Sequence, residues 1–222
     1  MGVTIHYRGT IDDPGRVGDL QRELADIAES IGWKWRAWDD DWSIPPSATL
    51  VHADGHATIK GHLGLKGIDL IPGGTSEPLS FLFDAGGRLS SIMHVILKCE
   101  GRLEPDEAWV SVKTQFLSPD AHVWIIGLLK YLKKRYLANL EVSDEGGFWE
   151  TGNREALEAK MRLLNDKLAW LSGELASARF ADMAGLSAED IVSRIEDFLR
   201  KKRWGERSSE SSSSGPQGFS ER

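Results

Sequence analysis

Apolar and polar residues alternate strictly at the start of the chain, in the segment VTIHYRGTI. Val3, Ile5 and Tyr7 fall on one side of this segment and polar residues on the other, which is the pattern of a half-buried β-strand. The period then changes to three and four, and an aspartate–proline pair precedes the change. Together these features predict a helix at 14–31 that ends at a glycine.

Short apolar runs separated by turn residues predict a series of strands after this helix. Asp54-Gly55 and the Asp84 to Gly87 segment are examples of the separating turns. One strand starts at Trp33, and the others are predicted at about 49–52, 56–60, 65–71, 79–84, 88–98 and 107–116. Successive strands with few crossover helices favour antiparallel pairing.

The second half of the chain is mainly helical. A serine–proline start predicts a helix at 119–137, a short strand follows at 140–142, and DEGGFWETGN forms a polar loop. A long helix at 153–180 carries apolar residues spaced alternately four and three apart, which is an a/d seam. Its members are Leu157, Met161, Leu164, Leu168, Leu171, Leu175 and Ala178. A last helix is predicted at 188–204.

These patterns predict an α+β protein whose largely antiparallel sheet carries helices on one face. The predicted parts are a sheet domain at 1–150, helices at 151–204 that pack on it or extend from it, and a disordered Ser-rich tail at 205–222. The seam at 153–180 either lies across the sheet or forms the contact surface of a homodimer.

Composition and charge limit the range of partners and compartments that fit this chain. Lys and Arg total 27 against 34 Asp and Glu, so the net charge is −7. This acidic balance argues against nucleic acid as a partner. The single cysteine, Cys99, forms no disulfide within the chain and fits a reducing compartment. No signal peptide is visible, and no apolar run approaches the roughly 20 residues that a membrane span needs. We predict a soluble, cytoplasmic protein.

Three histidines in VHADGHATIKGH have the spacing of a zinc-peptidase signature. That signature needs a glutamate after the first histidine as the base, and Ala53 stands there. Asp54-Gly55 between alternating runs instead predicts a β-hairpin. In that hairpin His52 and His56 point to opposite faces, so with His62 they cannot share an ion. We therefore predict no metal and no cofactor.

A polar cluster is the strongest candidate for catalysis. Lys113 lies near the end of a predicted strand, His122 lies in the first turn of a helix, and Asp144 and Glu145 lie in the following acidic loop. If they converge, they can carry out acid–base chemistry of an unknown class. In the alternative interpretation they form a structural network, in which Lys113 is paired with an acid and His122 is a hydrogen-bonded core residue.

Tryptophans supply most of the candidates for binding, because exposed tryptophans stack on sugars, bases and cations. The candidate residues are Trp33, Trp35, Gln115 and Trp149. In the alternative interpretation Trp33 and Trp35 simply cover one face of the sheet.

Three sequence blocks occur in order over roughly 1–160, excluding 45–64: TIHYRG, then VKTQF with His122 and LLKYLKKRY, then DEGGFWETG. Together they resemble an uncharacterised family of small bacterial α+β proteins. The resemblance implies no known activity and no residue roles. The sequence therefore favours a non-catalytic module that binds an unknown protein or small-molecule ligand. An enzyme built on the Lys113, His122, Asp144 and Glu145 cluster is the alternative.

Overall fold

The computed structural model describes residues 3–53, 55–73, 76–103, 108–177 and 193. The chain divides into two compact units, Met1–Leu168 and Ala169–Arg222. The described elements are β1 Thr4–Arg8, α1 Val17–Ser30, β2 Lys34–Asp39, β3 Thr49–Ala53, β4 His56–Lys60, β5 Lys66–Ile71, β6 Leu79–Phe83, β7 Leu89–Ser90, α2 Ile92–Cys99, β8 Val110–Lys113, α3 Pro119–Arg135, β9 Glu141–Asp144, α4 Phe148–Thr151 and α5 Arg154–Ser177.

The α+β prediction is confirmed, and every strand pairing among these residues is antiparallel. One sheet has the order β8-β1-β9, a second has the order β2-β5-β6-β7, and β3 and β4 form a two-stranded hairpin. Because β1 is antiparallel to both its neighbours, β8 and β9 run parallel to each other with α3 as their connection. This is a split β-α-β arrangement.

The main core lies between the two larger sheets and the helices α1 and α3. Its buried members come from all of these elements and include Tyr7, Leu24, Ile68, Phe81 and Ile125. The Tyr7 hydroxyl donates to the backbone oxygen of Ser80 at 2.7 Å, which ties β1 to β6. Burying these side chains supplies most of the stabilisation that a unit of this size has.

The predicted helix starts are confirmed by their caps. The Asp13 side chain accepts from the Gly15 N–H at 2.9 Å, and a short 3-10 turn at Pro14–Arg16 leads into α1. The Ser118 side chain accepts from the Ala121 N–H at 3.2 Å at the start of α3. Such caps satisfy backbone donors that a helix start otherwise leaves unpaired.

The predicted strand at 88–98 is wrong. The structure has only β7 there, followed by the helix α2, which Ser91 caps by accepting from the His94 N–H at 3.2 Å. Val95 and Ile96 are buried with Leu82 of β6 in a smaller second core, on the opposite sheet face from α1. The apolar run of α2 is compatible with a strand or a helix. The burial of Val95 and Ile96 against Leu82 favours the helix.

The predicted hairpin is confirmed by the register of β3 and β4. Ala53 lies opposite His56, and His52 lies opposite Ala57. His52 and His56 therefore point to opposite faces of the hairpin, because successive side chains of a strand alternate between faces.

The first half of α5 belongs to the unit Met1–Leu168 and packs within it. Leu157 and Met161 are buried with Val3, whereas Leu163 and Leu168 are 54% and 41% exposed. The observed division of the chain falls inside α5, while the sequence placed a boundary at 150/151. The side chains of Leu171 and Leu175, Ala178, the predicted helix at 188–204 and the tail at 205–222 lie outside the described residues. A homodimer through 153–180 stays a prediction.

Within the described part of the chain, no helix has both the length and the hydropathy that a membrane span requires.

Candidate functional site

Three buried polar side chains meet where β8, α3 and β9 come together. Thr114 follows β8, His122 lies in the first turn of α3 and Asp144 ends β9. The Thr114 Oγ1 lies 2.8 Å from His122 Nδ1, and His122 Nε2 lies 3.2 Å from Asp144 Oδ2. The His122 and Asp144 side chains are both 0% exposed. The split β-α-β arrangement thus brings together residues that are far apart in the chain.

Backbone donors fix the Asp144 carboxylate. Its Oδ1 accepts from the Gly146 N–H at 2.7 Å, and its Oδ2 accepts from the Phe148 and Trp149 N–H groups at 2.7 and 3.0 Å. Burial acts to raise the pKa of Asp144, but the hydrogen bonds from His122 and from the Trp149 and Gly146 N–H groups outweigh it and lower that pKa. Asp144 is therefore a carboxylate that caps the start of α4.

Tight packing encloses this network. A Cβ at Gly146 would lie 2.8 Å from Leu157 Cδ1 and 2.9 Å from both Asp144 Oδ1 and His122 Cε1, so a side chain does not fit there. The order of hydroxyl, imidazole and carboxylate is like that of acyl-transfer triads. Such a triad needs its hydroxyl where a substrate can reach it, and Thr114 is completely buried. The geometry here supports a structural role.

The other two predicted catalytic residues lie apart from this pair. The Lys113 Nζ lies 5.2 Å from the centre of the Phe116 ring. The Glu145 Oε2 accepts from the Thr4 N–H at 2.9 Å, and its Oε1 lies 4.0 Å from His6 Nε2. The structure thus brings together His122 and Asp144 but not all four residues.

The predicted binding residues are dispersed. Trp33 packs against Trp124 with ring centres 4.7 Å apart. Trp35 is 40% exposed and donates to Glu29 Oε1 at 3.1 Å. Lys130 lies over the Trp149 ring at 5.4 Å. Gln115 is only 1% exposed, and neither of its side-chain amide atoms has a hydrogen-bond partner among the residues that the structure describes.

An open apolar groove lies between α1 and α3. It has a volume of about 280 Å³ and is lined by Ile27, Trp124, Gly127, Leu128 and Tyr131. Its four α3 residues follow one stripe at positions i, i+3, i+4 and i+7 of that helix, a second stripe beside the one that faces the core. Trp33 packs against Trp124 of this stripe. We call this feature the α1–α3 groove.

One end of the α1–α3 groove is fixed by Glu23 of α1. The Tyr131 and Tyr136 hydroxyls donate to the Glu23 carboxylate, and so does Arg135 Nε at 3.2 Å. Burial acts to raise the pKa of Glu23, but these three donors outweigh it and lower that pKa. These three hydrogen bonds to the Glu23 carboxylate hold α1 and α3 at a set distance.

A second, polar cavity of about 310 Å³ lies at the end of β1 and includes Arg8, Thr10, Asn139 and Glu141 in its lining. Arg8 Nη2 donates to Glu141 Oε2 at 2.8 Å. The Thr10 N–H donates to Asn139 Oδ1 at 2.9 Å. These groups of the cavity wall are thus bound to one another.

The buried carboxylate of Asp69 on β5 was not predicted from the sequence. Asp69 Oδ2 accepts from Arg36 Nη2 at 2.9 Å and from Trp38 Nε1 at 2.7 Å, and its Oδ1 accepts from Ser80 Oγ at 2.6 Å. The signal in the sequence is one acidic residue inside the apolar segment GIDLI. Asp69 bonds β2 to β6 across β5, which is a structural role.

The histidines of the hairpin region do not assemble. His62 Nε2 lies 2.9 Å from the backbone oxygen of Asp41, while His52 and His56 point to opposite faces of the hairpin. Among the residues that the structure describes, no group of three or more His, Cys, Asp or Glu side chains has the geometry to hold a metal ion.

The chain matches no protein-family model, and neither the curated proteins nor the solved structures contain a significant match. The resemblance to an uncharacterised bacterial family therefore stays a prediction. Any assignment of function has to come from the chain's own geometry.

Proposed function

We propose that this protein is a non-catalytic interaction module that receives an amphipathic helix of a partner protein in the α1–α3 groove. The observation that carries the proposal is the contrast between two sites. The groove is open and apolar, whereas the His122 and Asp144 side chains are completely enclosed. A contiguous apolar surface that stays open to water, in contrast to singly exposed apolar residues, marks an interaction site.

The shape of the groove supports a helix as the partner. Residues three and four apart on one helix form the ridge that packs against another helix. Gly127 lies in the middle of this ridge, where a Cβ would meet nothing within 4 Å. Glycine inside a helix costs about 1 kcal/mol relative to alanine. No contact with another described residue explains this cost, but a partner backbone that approaches α3 closely does.

The open shape of the groove, together with its modest size, supports side chains of a partner rather than an enclosed cofactor as the ligand. Pockets that enclose small-molecule ligands have volumes of roughly 300–1,000 Å³. The groove, at about 280 Å³, lies at the lower limit of that range and is open along its length rather than enclosing. It suits one or two apolar side chains of a partner helix, with Trp124 and Tyr131 as aromatic walls. Helix-in-groove binding of this kind uses apolar anchors at i, i+3 or i+4.

A peptide-display selection tests the proposal. The library encodes amphipathic helices with randomised apolar positions, and the affinity of each selected peptide is measured by fluorescence anisotropy. We expect the selected peptides to carry apolar anchors one helical turn apart. Gly127→Gln, which fills the groove, should weaken their binding at least about tenfold, or 1.4 kcal/mol.

Ala159→Gln provides the matched control, because it places the same side chain on an exposed position of another helix, α5. Circular dichroism checks that both variants are folded. Equal affinities for wild type and Gly127→Gln would contradict the proposal, and so would a selection that yields no binding peptide.

A further inference from the structure

The strand β2 is an edge strand of its four-stranded sheet. The order β2-β5-β6-β7 leaves it paired with β5 alone among the described strands. Its residues Lys34–Asp39 are all exposed except Trp38, which is half-buried. An antiparallel edge strand has alternate N–H and C=O groups that face away from its neighbour and can pair with another strand.

Two of the usual features that prevent such pairing, a proline and a bulge, are absent from β2. The strand contains no proline, and its register with β5 runs unbroken from Lys34 opposite Ile71 to Asp39 opposite Lys66, without a bulge. Charged side chains also protect edges, and β2 carries Lys34, Arg36 and Asp39. However, Asp39 is paired with Lys66 of the neighbouring strand β5 at 2.7 Å. Arg36 donates to Asp69 at 2.9 Å and lies 4.2 Å from the Trp38 ring centre, so it is held over its own sheet.

The sequence of β2 is self-complementary when two copies of the strand pair antiparallel with Ala37 at the centre. A two-fold axis perpendicular to a sheet pairs residues that point to the same face, because successive side chains alternate. With the axis at Ala37, Arg36 lies opposite Trp38 of the second copy, and Trp35 lies opposite Asp39 of the second copy. No like charges face each other in this register.

The neighbouring registers within β2 are less favourable. An axis at Arg36 places the two Arg36 side chains opposite each other, and an axis at Trp35 places Lys34 opposite Arg36. Like charges directly opposite are destabilising. An axis at Trp38 pairs fewer residues of the strand. Ala37 is also the smallest side chain of β2, which suits the crowded position on the axis.

We infer that two copies of this chain associate through their β2 edges, antiparallel and centred on Ala37, so that the two four-stranded sheets become one continuous sheet. The association also brings Trp35, which is 40% exposed, against the second copy and so covers part of its apolar surface. This inference is independent of the α1–α3 groove and does not depend on what the groove binds.

Sedimentation equilibrium of the full chain over a wide concentration range tests the inference. We expect the wild type to reach twice the 24.6 kDa of one chain. Ala37→Lys, which places two ammonium groups at the axis, should remain at the mass of one chain over the same range. Ala57→Lys is the matched control, an exposed alanine in another strand, and it should dimerise like the wild type.

Two further measurements keep the outcome decisive. Amide hydrogen exchange of the wild type should slow within 34–39 as the concentration rises, even if Ala37→Lys does not fold. Leu164→Glu on the α5 seam should leave the dimer intact. A wild type that stays at the mass of one chain, or an Ala37→Lys variant that dimerises normally, would overturn the inference. Loss of the dimer in Leu164→Glu alone would place the interface on α5 instead.

Discussion

Replacing Asp144 with asparagine removes the group that joins β9, α3 and α4. The carboxylate accepts four hydrogen bonds, from His122 Nε2 and from the N–H groups of Gly146, Phe148 and Trp149. An amide has only one acceptor oxygen. Its NH₂ group must therefore face at least one buried N–H donor, and that donor loses its partner.

The size of the effect follows from these contacts. A hydrogen bond to a charged group contributes about 1.5–3 kcal/mol, and a buried donor without a partner costs about 1–3 kcal/mol. We expect Asp144→Asn to lower the free energy of unfolding at pH 7 by about 3 kcal/mol. Glu141→Gln is the matched control on the same strand. Its carboxylate is exposed and paired with Arg8, so its loss should cost less than about 1 kcal/mol.

The cost should also depend on pH. The pKa of Asp144 in the folded state is lowered from 3.8, so folding favours the ionised form. Its contribution is complete above the unfolded-state pKa and is lost as the pH falls through the lower folded-state pKa. The difference between wild type and Asp144→Asn should therefore shrink as the pH falls below about 4.

Urea denaturation followed by tryptophan fluorescence measures both effects, at pH 7 and at a series of lower pH values. The structural account of Asp144 is refuted if Asp144→Asn costs no more than Glu141→Gln at pH 7. It is equally refuted if the gap between wild type and Asp144→Asn does not change with pH.

Three further substitutions test other parts of the fold by the same denaturation assay. Gly67→Ala should destabilise severely, because Gly67 has a φ of 136° and a Cβ there would overlap the backbone oxygen of Phe81; a stable variant would contradict the β5–β6 packing. Gly127→Ala should stabilise by about 1 kcal/mol, since it improves helix propensity without a clash; no gain would contradict the open groove. Trp38→Phe removes one of the bonds to Asp69 and should cost about 1 kcal/mol; no cost would show that this bond contributes nothing.

Local sequence signals predicted much of the fold because they act within a few residues. Strict alternation identified β1, aspartate and serine caps identified the starts of α1 and α3, and Asp54-Gly55 fixed the hairpin register. The helix α2 was missed because its nearly continuous apolar run resembles a buried strand. The available signals were the Ser91 cap and the spacing of its two polar residues, His94 and Lys98, which lie four apart as on one face of a helix.

Only part of the site was predicted, because the direction in which each side chain points decides which residues meet. His122 and Asp144 were expected to converge, and they do. Lys113 does not join them because it alternates with Val112 and Thr114, which are buried, and so points to the other side of β8. Glu145 likewise alternates with Asp144. The α1–α3 groove joins residues about a hundred positions apart, and no local pattern reports such a contact.

The most direct test of the interaction module is a nuclear magnetic resonance titration of the ¹⁵N-labelled full chain with a selected helical peptide. The account predicts that the largest shifts occur at the Gly127 amide, the Trp124 indole N–H and the Tyr131 amide, with little change at Asn139 in the polar cavity. Shifts centred on Asn139 and Arg8, or spread without relation to the groove, would contradict it.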